Sequence, residues 1–466
     1  MLTYDLNNRG TTPLYDYLYQ CIKQDIIQGK LQPGERLPSK RTLARHLSVG
    51  VITVANAYAQ LLTEGYVEAK EKKGYFVGSI GDYRVKQEVA PVALREAEEK
   101  EFFVDFKANR ISLQNFPIAT WTRLMRETLS LQNEALLKTV PYNGLFELRK
   151  AIADYLAANR AMSVQPSQII IGAGTEYLYG RLMQMFGRET TFAIEDPGYK
   201  RLGAISASFG NPWKYIPIDG SGMEVEALEA SGAQIVHLSP ANHFPTGIVM
   251  PIKRRLELFK WVNRRPDRYI IEDDYDSEFR YTGRFIPPLY AQDTRNKVIY
   301  MNTFSKSLVP SLRISYMVLP PQLLQRYEET LSFYSCTVSS FEQYTLASFI
   351  AQGYFERHVN RMKKYYREQR ALILQAFRQS PLAKIGQIKE RNAGTHFLLQ
   401  VATVLSEAQV KEAALAADMS VACFSDYSNR PLQQHGCTLV INYAGIAREK
   451  LDQVMARLAA IFPECQ

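Results

Sequence analysis

The chain has 466 residues, about three times the length of a typical domain, so two or more domains are expected. Its 46% hydrophobic and 22% charged residues argue against disorder, collagen-like repeats and coiled coil. The formal charge of +9 permits contact with nucleic acid without demanding it, because residues 1–78 carry only 10 basic against 7 acidic side chains. No apolar run approaches the roughly 18 residues of a membrane helix, and the opening MLTYDLNNRG is too polar for a signal peptide. Cys21, Cys336, Cys423, Cys437 and Cys465 form no CxxC pair, so a cytoplasmic chain with reduced thiols is expected.

Residues 1–78 read as a compact helical unit ending in a hairpin. Leu14, Leu18, Ile22 and Ile26 recur every four residues, as on one buried helical face. Gly29 and Gln32-Pro33-Gly34 end that helix, and Ser39 is placed to cap a second one carrying Leu43 and Leu47. After Ser48-Val49-Gly50, a third helix presents Val54, Ala57, Tyr58, Leu61 and Leu62 and stops at Gly65. Tyr66–Ala69, a Lys-rich turn and Tyr75–Val77 then form a β-hairpin. This is the winged helix-turn-helix plan, with Lys40, Arg41 and Arg45 on the first helix of the pair and Lys70, Lys72 and Lys73 around the wing. A three-helix bundle with a solvated basic face gives the same pattern.

Residues 79–104 hold 6 acidic and 4 basic side chains without sustained apolar periodicity, and read as a linker with some helix around ALREAEEKE. Beyond it, short apolar strands alternate with amphipathic helices: QIIIGAG, TTFAIED, QIVHLSP, RYIIEDD, KVIYMNT and RISYMVL are strand-like, and TEYLYGRLMQMF and IKRRLELFKWVNR are helical. That alternation predicts an α/β domain with a largely parallel sheet buried on both faces. A strongly helical stretch follows residue 320, and an α+β segment over about 380–466 ends the chain.

Four elements of this second part carry chemistry when taken together. Gly172-Ala173-Gly174-Thr175 is a glycine turn from a strand into a helix, where bare amides suit an anion. Ile270-Ile271-Glu272-Asp273-Asp274-Tyr275 sets carboxylates at a strand's carboxyl end, where α/β ligands bind. No histidine lies near enough in sequence to favour a metal there. Lys306, in Thr303-Phe304-Ser305-Lys306, falls in a short loop between two apolar strands, where desolvation would make it a usable amine nucleophile. Asp196-Pro197-Gly198-Tyr199 offers an aromatic ring just after a strand. A lysine, an anion cradle, a stacking ring and a carboxylate are what an aldehyde cofactor bearing a phosphate and a pyridine ring needs.

Two resemblances follow from these words. GKLQPGERLPSKRTLA, VANAYAQLLTEGY and KKGYFV resemble the GntR-type winged helix, which implies DNA contacts from Ser39, Lys40, Arg41, Arg45, Ile52, Thr53, Lys72, Lys73 and Gly74. Members often carry Ser-Arg at the start of the recognition helix, whereas this chain has Gly50-Val51-Ile52-Thr53, and Val51 cannot bridge two acceptors on a guanine. Residues from about 105 to 466 resemble fold-type I aminotransferases of class I/II. That likeness implies pyridoxal 5'-phosphate held by Lys306 as an internal aldimine. It implies Asp273 on the ring nitrogen, Tyr275 on the phenolic oxygen and Tyr199 against the ring. Gly174, Thr175, Thr303, Ser305 and Arg313 would hold the phosphate.

Two departures from the class I pattern bear on activity. Ser239–Gly247 replaces Asn-Pro-x-Asn-Pro-Thr-Gly, so the usual asparagine is lost or displaced. The late strand reads Val440-Ile441-Asn442-Tyr443 without the arginine that grips a substrate carboxylate. End to end, the chain resembles the MocR/GabR regulators through GAGTEYL, EDPGYKR, HFPTGIVMP, YIIEDDYDSEF, TFSKSLVPSLRISYMVLP and NAGTHF. The resemblance implies a multidomain protein: a winged helix-turn-helix reader at 1–78, a linker at 79–104 and an α/β fold-type I aminotransferase-like sensor at 105–466. It also implies an operator DNA partner, a head-to-tail domain-swapped homodimer, and an amino-compound effector or pyridoxal phosphate itself as signal. Effector contacts fall to Arg201, Arg313 and Arg430; the loop Phe424–Arg430 aligns ambiguously, and Asp426 in place of the family's arginine would argue against GABA as the effector. An active aminotransferase carrying a DNA tether is the competing expectation.

Overall fold

The computed structural model describes residues 2–79, 101–107, 115–131, 133–281, 285–390, 393–430 and 436–465. The chain divides into a unit at Met1–Glu99 and a larger one at Lys100–Gln466. Most of the linker expected at 79–104, with its ALREAEEKE stretch, lies outside the described residues. The linker's expected end at Val104 belongs instead to the larger unit, where Val104–Asp105 pairs in parallel with Met419–Ser420.

In the smaller unit, α1 (Leu14–Ile27) buries Leu18, Ile22 and Ile26. The Ser39 hydroxyl accepts from the Thr42 amide at 3.1 Å and so caps α2 (Lys40–His46). Ser48, at φ 54°, turns the chain into α3 (Val51–Thr63), which buries Val54, Ala57, Tyr58 and Leu61. The strands β1 (Val67–Lys70) and β2 (Gly74–Val77) pair antiparallel as the wing, Val67 facing Val77. Tyr58 fastens α3 to this wing: its hydroxyl donates to the Pro38 carbonyl at 2.9 Å, and its ring meets Tyr75 edge-on at 5.0 Å.

An eight-stranded sheet centres the larger unit. Val298–Thr303, Tyr269–Asp273, Ile235–Leu238, Phe192–Asp196 and Trp213–Asp219 run parallel in that spatial order. Ser315–Val318 joins antiparallel between Val298–Thr303 and Ile169–Gly172. The strands are near-continuous apolar runs because both faces are covered. Ile271, Ile299, Met301 and Met317 pack on one side, and Ile270, Val298, Tyr300 and Tyr316 on the other. The central parallel strands are therefore buried along their length, whereas Trp213–Asp219 near the sheet edge is partly exposed, and polar side chains gather at the carboxyl edge.

The helical stretch after residue 320 is three helices rather than one. Pro321–Leu331 stops before Ser339, whose hydroxyl accepts the Phe341 amide and starts Ser340–Ala351; Gly353, at φ 75°, separates that helix from Tyr354–Gln379. The final segment is a four-stranded antiparallel sheet of Gly386–Lys389, His396–Val401, Cys437–Asn442 and Ala422–Cys423. The five cysteines are free, and Cys423 and Cys437, distant in sequence, meet in this core at 3.7 Å. Among the described residues no helix is long and apolar enough to cross a membrane.

Candidate functional site

The carboxyl edge of the parallel strands brings together Asp196, Asp273 and Thr303, each the last residue of its strand. Asp273 Oδ1 is buried without a hydrogen-bond partner among the described residues. Its Oδ2 lies 3.6 Å from His237 Nε2, and that ring stands edge-on to Tyr179 at 5.6 Å. His237 was missed in the sequence, although a histidine inside the apolar strand QIVHL is a signal of an inward polar partner.

Lys306 is not in a loop: it sits in the one-turn helix Phe304–Ser307, capped by Thr303, whose Oγ1 accepts the Ser305 amide at 3.2 Å. Ser315 Oγ donates to the same Thr303 oxygen at 2.7 Å. Ser305 Oγ is buried without a partner among the described residues. The Lys306 amine lies 5.9 Å from the centre of the Tyr275 ring. Removal from water pushes this amine below the ordinary lysine pKa, while Asp276 and Asp273 pull it upward. Tyr275 donates to the Asn242 carbonyl at 3.0 Å, and the Asn242 amide donates to Asp276 at 2.8 Å. Asn242, of the divergent Ser239–Gly247 segment, is thus part of this cluster.

At the glycine turn, Gly174 has φ 103° and a Cβ there would stand 2.5 Å from Arg313 Nη2. Only glycine lets that guanidinium approach the start of the helix Thr175–Phe186. Glu176 gathers the neighbours: its carboxylate accepts from Tyr199 at 3.0 Å, Arg201 at 3.0 Å and Arg313 at 3.2 Å. Arg201 and Arg313 are both exposed side chains. Arg430 faces Asp196 at 3.8 Å, beside the Asn429 amide, which donates to Asp196 at 2.9 Å. Asp426 accepts the Cys423 amide at 2.9 Å and pairs with Lys411 in the turn Phe424–Tyr427.

A buried ionic layer supports the strand end. Arg160 reaches Asp274 at 3.0 Å and Glu278 at 3.6 Å, all three side chains nearly without exposure. Tyr300 donates to Asp274 at 2.7 Å, and Asn302 to Glu278 at 3.3 Å. Nearby, burial pushes Glu195 up to about 8 and His243 down to about 3, each toward its uncharged form, and the two face each other at 3.5 Å. Glu195 also accepts the Ser239 amide at 3.1 Å.

In the smaller unit, Arg41, Arg45, Lys72 and Lys73 are exposed, and Lys40 sits over the Tyr75 ring at 5.1 Å. Ser39 is spent on its cap, Lys72 (φ 57°) and Gly74 (φ 109°) shape the wing turn, Ile52 is exposed and Thr53 half-buried.

The larger unit matches the family described as aminotransferase class I and II over residues 103–458, and the smaller one matches bacterial regulatory proteins of the gntR family over 14–77. An uncharacterized HTH-type transcriptional regulator, YdeL of Bacillus subtilis (strain 168), is 38% identical over 98% of both chains. The chain belongs to the MocR-type transcriptional regulators, aminotransferase-family proteins with a GntR reader. The probable rhizopine catabolism regulatory protein MocR of Rhizobium meliloti is 29% identical over 98% of this chain and 95% of its own. In fold, an archaeal alanine:glyoxylate aminotransferase superposes with a TM-score of 0.70 at 22% identity, covering 78% of this chain and 92% of that one.

The cofactor of this MocR-type domain is pyridoxal phosphate, and the residues present fit it. Asp273 Oδ1 and Ser305 Oγ are buried polar atoms lacking partners among the described residues, flanking a desolvated lysine and a glycine turn open to an anion.

Two outcomes follow from the buried charges. Arg160→Met strands two carboxylates and lowers unfolding free energy by about 3–5 kcal/mol in denaturant titration; a change under about 1 kcal/mol would contradict the layer's role. Glu195 holds its proton above the ordinary carboxylate range, so its stabilisation is complete below about pH 4.5 and is lost as pH rises through about 8. Cofactor-free Glu195→Gln should gain about 1 kcal/mol or more relative to the parent between pH 5 and 9, and an equal difference at both pH values would refute this.

Proposed function

We propose that residues 1–78 form the operator reader and 105–466 the sensor, and that the sensor responds to an amino compound, or to pyridoxal phosphate itself, through Lys306. The observation that carries the reading is the convergence of Lys306, Tyr275 and the unpartnered Asp273 oxygen at one sheet edge. When bound, the cofactor supplies an electrophilic carbon and a ring that draws off electrons.

The chain's own residues then divide the work. Burial keeps the Lys306 amine toward its neutral, nucleophilic form. Asp273 Oδ1 would hold the proton of the cofactor's ring nitrogen, while His237 lies 3.6 Å from the carboxylate's other oxygen. Tyr275 orients toward the phenolic oxygen from its seat on the Asn242 carbonyl, and Tyr199 offers its ring from its bond to Glu176. Gly174, Thr175, Ser305 and Arg313 would hold the phosphate, with Thr303 building the turn that presents Ser305. Arg201, exposed beside Glu176, and Arg430, facing Asp196, would serve as carboxylate partners for the effector. An effector acts on transcription only if it binds two arrangements of the homodimer with different affinity.

The strand Cys437–Asn442 holds no arginine, which favours sensing over turnover. Lys306→Ala should abolish the visible absorbance of the purified protein and the shift in operator affinity on adding amines, while leaving DNA binding within about twofold. An unchanged spectrum, or keto-acid release by the parent at about one turnover per second, would refute the sensor reading.

A further inference from the structure

The first turn of α3 carries Val51 and Ile52, which remain 46% and 76% exposed. Gly50 supplies no side-chain cap, and that turn has no acidic residue. Neither side chain belongs to the unit's core, Ile52 least of all, and both lose rotamer freedom in a helix, so the unit's own stability gives little reason for two β-branched residues here. Their setting is polar and cationic: exposed Arg41 and Arg45 lie on α2, which packs against α3, and exposed Lys72 and Lys73 lie on the wing. An apolar tip framed by cations complements a polyanion that bears an apolar feature.

Resting on the reading of residues 1–78 as an operator reader, we propose that Val51 and Ile52 read thymine methyl groups in the major groove. The thymine C5-methyl is the apolar feature that groove presents, and neither side chain has a donor for guanine or an acceptor for cytosine. Asn56, exposed one turn farther along the same helix, is of the type that pairs with adenine N6 and N7. The operator half-site is accordingly A·T-rich where α3 enters, with sequence discrimination coming from methyl burial in place of a guanidinium fork.

The test uses the full-length protein with its cofactor. Random duplexes are selected for binding at about 0.15 M salt, and the enriched duplex is remade with deoxyuridine replacing one thymine at a time. This removes a methyl group and leaves base pairing intact. Loss of binding of about three- to fivefold is expected at one or two positions per half-site, as for one methyl returned to water. Ile52→Ala or Val51→Ala should erase that difference at its own position, whereas Lys72→Ala should weaken both duplexes alike. Indifference to uracil throughout, or uracil sensitivity that persists in the Val51→Ala/Ile52→Ala protein, would overturn the inference alone. So would unchanged DNA binding in that double variant accompanied by weaker self-association, which would assign the face to a second copy. Failure to enrich any sequence would overturn it together with the operator-reader reading.

Discussion

The structure turns on the desolvation of one amine. Lys306 stands where a sheet buried on both faces ends, so water that would solvate an ammonium ion is largely displaced by protein. Burial also sets the state of other groups in this domain: carboxyls at Glu195 and Glu272 are pushed up to about 8 and about 7, and imidazoles at His243 and His396 down to about 3 and about 4. Charge in this region is kept only where a partner answers it, as Arg160 answers Asp274 and Glu278. An amine whose pKa burial pushes below the ordinary lysine range is better suited to condensing with an aldehyde than a fully solvated ammonium ion.

The two units meet different physical demands. The sensor's polar groups act in low dielectric, where one misplaced charge costs several kcal/mol. The smaller unit's cations lie at an exposed surface, where each would contribute modestly against a phosphate and salt would screen it. That contrast explains why bulk charge does not single out this surface: the smaller unit's excess is slight, and its position on α2 and the wing is what distinguishes it.

Much of the site was legible because its members break an apolar pattern. Asp273 ends the run YIIED, Lys306 follows VIYMNT, and Gly174 punctuates a strand-to-helix turn. Residues whose role depends on distant partners were not legible. Arg160 closes on Asp274 across 114 positions, and nothing local marks it. Glu195 and Asp196 adjoin in sequence, yet the first faces a neutral histidine and the second Arg430. Asp426 bonds the backbone amide three residues before it, a contact that its loop sequence does not announce. Likewise Lys306 was placed in a loop because a single helical turn capped by Thr303 leaves too short a signal to see.

The account's central claim is that Lys306 is the covalent anchor of pyridoxal phosphate. It is tested most directly by incubating the full-length protein with that cofactor, reducing with borohydride and locating the label by tryptic mass spectrometry. The account predicts a fluorescent pyridoxyl adduct on the peptide spanning residues 298–313, with cleavage after Lys306 blocked. A label confined to other lysines, or no label under conditions that mark a working aminotransferase, would contradict it.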